Sequence, residues 1–177
     1  LPISHFSNPS DPFYSNQWGL ASINYNKIWS SIPSSNDIFT CIIDSGVYSN
    51  HPDLMYADIR KGWDYTINDH VYTDSNGHGT MVTGIVAATT NNGIGISGVL
   101  NQPAIIPFNV TYINGAIYTS DIINAIYDAT DVGCDVINIS IGSSSYTYNE
   151  DLAVQYAISK GVIVVASAGN SGNSSMM

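Results

Sequence analysis

Ile38-Phe39-Thr40-Cys41-Ile42-Ile43 is a nearly unbroken apolar run that stops at Asp44-Ser45-Gly46. Such a run, without polar alternation, reads as a strand buried on both faces, the habit of a parallel strand inside a sheet. Similar runs return at Ala104-Ile105-Ile106-Pro107-Phe108-Asn109-Val110, Val136-Ile137-Asn138-Ile139-Ser140 and Val162-Ile163-Val164-Val165-Ala166, each followed by small polar residues. Between them lie helix-like segments at Gly79 to Ala88, Ser120 to Thr130 and Leu152 to Ser159. Ser120-Asp121 suits a helix start, and Gly133 and Lys160-Gly161 suit helix ends. Strands alternating with helices predict an α/β domain, a mainly parallel sheet flanked by helices. Ligands of such sheets sit beyond the carboxyl ends of the strands. That directs attention to Asp44-Ser45-Gly46, Ser140-Ile141-Gly142 and Ser167-Ala168-Gly169-Asn170.

The chain has 177 residues, 44% of them apolar, enough for one domain with a real core. Four Lys and Arg stand against 14 Asp and Glu, a formal net charge of -10. That sign repels phosphates and anionic lipid, so no nucleic-acid or membrane-surface partner is expected. No stretch reaches the roughly 18 consecutive apolar residues of a membrane span. Charged residues are only 10% of the chain, so uncharged polar groups must dress the surface, and the scarcity of lysine fits an extracellular, secreted protein. Residues 1–35 mix Pro2, Pro9, Pro12 and Pro33 with Ser and Asn around one short helix near Leu20 to Trp29, and read as an arm packed on the main domain, 36–177. Cys41 and Cys134 have no partners at zinc-ligand spacing.

Asp44 directly follows a buried strand, where a carboxylate needs a strong donor to stay ionised. His78, in Asn76-Gly77-His78-Gly79-Thr80, is the best available, since flanking glycines permit a tight turn into a helix. Taken singly, Asp44 reads as a turn or cap residue and His78 as a helix-start residue. Together with His51-Pro52-Asp53-Leu54 and Ser167-Ala168-Gly169-Asn170 they form an ordered set that chance would rarely assemble.

On those motifs the chain resembles the subtilisin-like serine peptidases, with Ser10-Asp11-Pro12-Phe13-Tyr14, Gly62-Trp63-Asp64 and Thr90-Asn91-Asn92 pointing to the thermitase branch. The resemblance implies an acyl-transfer site in which Asp44 orients His78, His78 deprotonates a serine, and the Asn170 amide donates to the oxyanion. The nucleophile motif Gly-Thr-Ser-Met-Ala does not occur in these residues, so the fold is expected to be incomplete at the C-terminus and a C-terminal remainder to carry the serine. Ser45, Ser140 and Ser143 read as turn residues. Met81 stands where the family would lead one to expect a second histidine.

The resemblance also implies a peptide or protein substrate bound as an added strand between Gly115-Ala116-Ile117 and Ser140-Ile141-Gly142, with Ala168 and Gly169 bordering the pocket before the scissile bond. For a structural calcium it points to Asp11, Asp53, the Asn92 side chain and the carbonyls of Thr89, Ile94 and Ile96; Asp53 could otherwise cap a helical turn. Asp64, Asn68, Asp69 and Asp74 read as a solvated acidic loop or a second calcium region, and His5, His51 and His70 as structural or surface residues. The strands of Cys41 and Cys134 are neighbours by resemblance, which leaves open a disulfide or two buried thiols. The competing function is a catalytically inactive pseudoprotease that keeps the fold and groove to bind peptides.

Overall fold

The structure, a computed structural model, describes residues 8–32, 37–70, 73–143, 145–170 and 172. Pro2, His5, Pro33 and the boundary between residues 35 and 36 lie outside them. Strands β1 (Phe39–Asp44), β2 (Asp58–Ile59), β3 (Trp63–Asp64), β4 (Ala104–Asn109), β5 (Val136–Ile139) and β6 (Ile163–Ala166) form one sheet. Its order is β2-β4-β1-β5-β6, with β3 also on β4, and every pairing is parallel. β1 therefore sits in the middle, in register with β4 from Phe39 opposite Ala104 to Asp44 opposite Asn109. Cys41, Ile42 and Ile43 are buried between two neighbours and two faces, as their unbroken apolar run requires.

Helices α1 (Trp18–Ser22), α2 (His78–Ala87), α3 (Thr119–Asp131) and α4 (Tyr148–Ser159) complete the described elements, with short 3-10 turns between them. On α3 the buried Ile122, Ala125, Ile126 and Ala129 follow the spacing of one helical face. That face packs with Ala153 and Ala157 of α4 against Cys41, Ile43, Ile106, Phe108 and Ile137. α2 covers the opposite face, where Ala87, Val82 and Val86 meet Ile42, Ile59 and Ile105. Gly133 (φ 87°) and Gly161 (φ 86°) follow α3 and α4 in the left-handed conformation that glycine adopts without steric cost.

Several elements differ from their reading in the sequence. α4 begins at Tyr148 instead of Leu152, so Glu150 and Asp151 fall in its first turn, where acidic side chains suit the helix dipole. The helix read over Leu20 to Trp29 is α1 followed by 3-10 turns at Tyr25–Lys27 and Trp29–Ser31, interrupted where Asn24 takes φ 57°. β2 and β3, two residues each, are too short to leave a periodic pattern. They flank Gly62, where a Cβ would stand 1.7 Å from the Pro107 carbonyl oxygen. Val162–Ala166 reads as buried on both faces, yet Ile163 is 61% and Val165 48% exposed, because among the described residues no helix lies over β5 and β6 on the α2 side.

The arm docks on the loop after α2. Gln17 exchanges two hydrogen bonds with the Ser97 backbone, and the Ser10 N–H donates to the Asn91 side chain. Tyr25 is buried, and its hydroxyl donates to the carbonyls of Gly98 and Val99. Burial pushes the Tyr25 phenol up to about 12, chiefly by desolvating the phenolate. The folded pKa exceeds the unfolded one near 10, so this stability is whole below about pH 10 and is lost as pH rises toward 12. Tyr25→Phe should lower Tm at pH 7 and flatten the fall of Tm between pH 10 and pH 12. An alkaline fall as steep as in the parent protein would contradict this.

Candidate active site

The chain switches sides at β1, with β4 on one flank and β5 on the other, which opens a crevice at the carboxyl end of β1. Asp44 is the last residue of that strand and only 2% exposed. Its Oδ1 accepts the Ser45 N–H at 2.7 Å and lies 2.7 Å from Nδ1 of His78. A carboxylate can only accept, so Nδ1 carries a proton, which leaves Nε2 as the lone-pair nitrogen of the neutral ring. The His78 side chain is 49% exposed while that of Asp44 is 3% exposed, so the imidazole joins a buried charge to open solvent.

His78 is the first residue of α2, and the free N–H groups of that first turn are all satisfied from outside the helix. The His78 N–H donates to Asn76 Oδ1, the Gly79 N–H to Ser45 Oγ, and the Thr80 N–H to Asp74 Oδ2. Gly77, at φ 93°, makes the left-handed entry into the helix. Gly79 lets α2 approach β1, since a Cβ there would lie 2.2 Å from the Gly46 carbonyl oxygen and 3.2 Å from Asp44 Oδ1.

The other predicted positions lie at the same end of the sheet, in separate loops. Ser140-Ile141-Gly142 follows β5, where Ser140 Oγ accepts from the Asn138 amide and the Ser167 hydroxyl donates to the Ile141 carbonyl. Ala168, Gly169 and Asn170 follow β6, with Ala168 and Asn170 exposed and Gly169 at φ 76°. Gly115 and Ala116 form the tip of a small hairpin closed by Thr111 opposite Ile117. Within it the Tyr112 N–H donates to the Ala116 carbonyl and the Gly115 N–H to the Tyr112 carbonyl.

The model of the subtilase family matches residues 35–177. The chain belongs to the subtilase family. Among curated subtilases it is 40% identical over 167 residues to a thermophilic serine proteinase of Bacillus sp. (strain AK1), a match covering 94% of this chain and 41% of that protein. It is 39% identical over 166 residues to thermitase of Thermoactinomyces vulgaris, covering 93% of this chain and 59% of that protein. Among solved structures, a protease from Pseudoalteromonas arctica superposes with a TM-score of 0.82 at 29% identity, covering 93% of this chain and 60% of that one. The chain thus spans about two fifths to three fifths of the length of these relatives.

The six positions singled out for a cation gather where the subtilase arm meets the loop after α2. Asp11 accepts the N–H groups of Asn91 and Asn92. Asp53 accepts the Asn92 side-chain amide on Oδ1 and the Ile96 N–H on Oδ2, and its own carbonyl accepts the Thr89 N–H. The Ile94 N–H donates to Asn92 Oδ1. Asp11 and Asp53 are 4% and 5% exposed, and neither makes an ion pair among the described residues. Among the described residues no group of three or more His, Cys, Asp or Glu side chains is placed to hold a metal ion, so further ligands there would be amide and carbonyl oxygens.

The acidic region divides: Asn68 and Asp69 are exposed, as a solvated loop requires, whereas Asp64 and Asp74 are engaged by other elements. Asp64 is buried and holds Thr66 and the Asn109 amide, while Asp74 holds the turn before α2. Asp69 accepts the His70 N–H next to it. Ser45, read as a turn residue, is buried and joins Asp74 to Gly79. Both Asp74 and Ser45 escape sequence reasoning as site residues because their partners lie across a turn or on another element; the only local signal is the Asp74-x-Asn76-Gly77 turn pattern. His51 and His70 are structural: His51 Nδ1 accepts the Asp53 N–H, and His70 meets the Gly62 carbonyl and stacks edge-on against Trp63.

Proposed function

We propose that these residues supply the aspartate, the histidine and the oxyanion donor of a secreted serine endopeptidase, with the nucleophilic serine coming from polypeptide outside them. The observation that carries the reading is the 2.7 Å contact between buried Asp44 and exposed His78. Nε2 takes the serine proton as the serine oxygen attacks a peptide carbonyl, and the Asn170 amide donates to the resulting oxyanion. The imidazolium, stabilised by Asp44, returns its proton to the leaving amine. Water then repeats the sequence on the acyl-enzyme and frees the carboxylic acid. The peptide lies between the hairpin at Gly115-Ala116-Ile117 and Ser140-Ile141-Gly142, with Ala168 and Gly169 beside the residue before the scissile bond.

A serine-directed fluorophosphonate tests this on the native gene product. One label per molecule is expected, on a serine outside residues 1–177, and none in His78→Ala. A folded protein that binds peptide yet takes no label would instead be a peptide-binding pseudoprotease. Secretion accords with the scarcity of lysine and with the disulfide between Cys41 and Cys134, which favours an oxidising compartment.

Asp11, Asp53, Asn92 and the carbonyls of Thr89, Ile94 and Ile96 would hold a structural calcium that ties the arm to the loop after α2. Two buried carboxylates without a basic partner among the described residues, joined by the Asn92 side-chain oxygen and those carbonyls, would form a donor set suited to that hard cation. Calcium at 100 times its Kd would add about 2.7 kcal/mol. Chelation should therefore lower Tm by roughly 5–10 °C, calcium should restore it, and Asp53→Asn should abolish the response. A Tm indifferent to chelator would remove the cation from the account.

A further inference from the structure

We propose that Asp74 is the positioning residue of the Asp44–His78 pair, tying the end of β1, the turn before α2 and the first turn of α2 into one unit. The inference rests on the peptidase reading for its consequence, but its geometry stands apart from it. Asp74 Oδ1 accepts from Ser45 Oγ at 2.9 Å, the Asn76 N–H at 3.0 Å and the Gly77 N–H at 2.7 Å. Asp74 Oδ2 accepts from the Thr80 N–H at 2.9 Å and from the Thr80 hydroxyl. These donors belong to residues on both sides of His78 in sequence and to the residue that follows Asp44.

The two hydroxyls make the arrangement directional. Ser45 Oγ gives its only proton to Asp74 and accepts the Gly79 N–H at 2.9 Å, while Thr80 Oγ1 gives its proton to Asp74 and accepts the Tyr48 N–H at 2.9 Å. Each hydroxyl hands over one hydrogen and takes one, so the acceptor at the centre must be an ionised carboxylate. Burial raises the Asp74 carboxyl, but the bonds from Thr80, Gly77 and Ser45 outweigh that and hold it below the usual carboxylate range. The charge is therefore present throughout neutral pH. Asp74 touches neither imidazole nor substrate; it acts by placing the backbones of Ser45 and His78, and through them the two side chains that must meet.

Asp74→Asn replaces one accepting oxygen by an NH2 group that faces N–H or O–H donors, with little change of shape. In the native gene product it should lower kcat by about 10²-fold, the scale of a misplacement near 1 Å, while KM changes less than twofold. In a His78→Ala background the same substitution should have almost no further effect, because a group that works through the imidazole has nothing left to place. A merely structural loss would lower both backgrounds alike, and that result would overturn the proposal.

The second readout needs no activity. The proton shared by His78 Nδ1 and Asp44 should give a sharp downfield NMR resonance in the parent and broaden or vanish in folded Asp74→Asn. Persistence of an unchanged resonance overturns the proposal. Its loss in a protein that proves to have no peptidase activity would sustain the positioning role and defeat the peptidase reading instead. If Asp74→Asn does not fold, Ser45→Ala and Thr80→Val decide: broadening in both supports the role, and no change in either refutes it.

Discussion

Asp44→Asn is expected to lower kcat on a peptide substrate by about 10⁴-fold while the protein stays folded, an order carried over from subtilisin, where removing the aspartate of the triad costs about that much. The present geometry says how the loss should arise. Asp44 receives both the Ser45 N–H and the His78 Nδ1 on the same oxygen, Oδ1. An asparagine would keep its carbonyl oxygen there, because the flipped amide would aim an NH2 group at two donors. The imidazole would thus retain its tautomer, and the loss would come from removing the negative charge that stabilises the imidazolium. The fluorophosphonate rate should fall with kcat, KM should stay near the parent value, and the histidine should still show Nδ1 protonated by NMR. A kcat within tenfold of the parent would mean that Asp44 is not the partner of a working base.

Breaking the bond between Cys41 and Cys134 should cost the largest share of stability of any single covalent change. The two cysteines are 93 positions apart with Cα atoms 5.9 Å from each other, so the bond closes about half the chain. Loop-closure entropy for that span is about 4–5 kcal/mol, which corresponds to a fall in Tm of roughly 8–20 °C for a domain of this size. Both residues are buried, at 0% and 3% exposure, so a reductant should act only once the fold opens. Dithiothreitol alone should leave the folded protein intact, whereas dithiothreitol with moderate urea, or the Cys41→Ala/Cys134→Ala variant, should shift the unfolding midpoint sharply. Two titratable thiols in urea without reductant would show that the bond is absent. The position also matters for the site: Cys41 lies three residues before Asp44 on β1, so the cross-link holds the strand that presents the carboxylate to the segment that leads from α3 into β5.

Much of the catalytic half was legible before any coordinates, for a reason visible in particular residues. Ile38 to Ile43 could be placed as a central strand because a parallel strand buried on both faces needs an unbroken apolar run, and Asp44 was conspicuous as the charge that ends it. Gly77 and Gly79 flank His78 because the chain turns at φ 93° and then passes within a Cβ of β1, so the motif carries its own geometric cause. β2 and β3 were not legible, since two residues give no period, and Val162 to Ala166 misled because apolar content does not reveal which face a neighbour covers.

What the sequence determined by itself was the α/β alternation and the central strand, because each rests on local pattern, and the aspartate and histidine, because their motifs stand along the chain in the order of the family it resembles. Only the tertiary structure decided that Ser45 and Asp74 belong to the site, that Asp64 serves Asn109 instead of an acidic loop, and that Cys41 bonds Cys134. Those are contacts between residues 29, 45 and 93 positions apart. Their partners are chosen by how the sheet is ordered and which loops meet at its carboxyl edge, and no local periodicity records that choice.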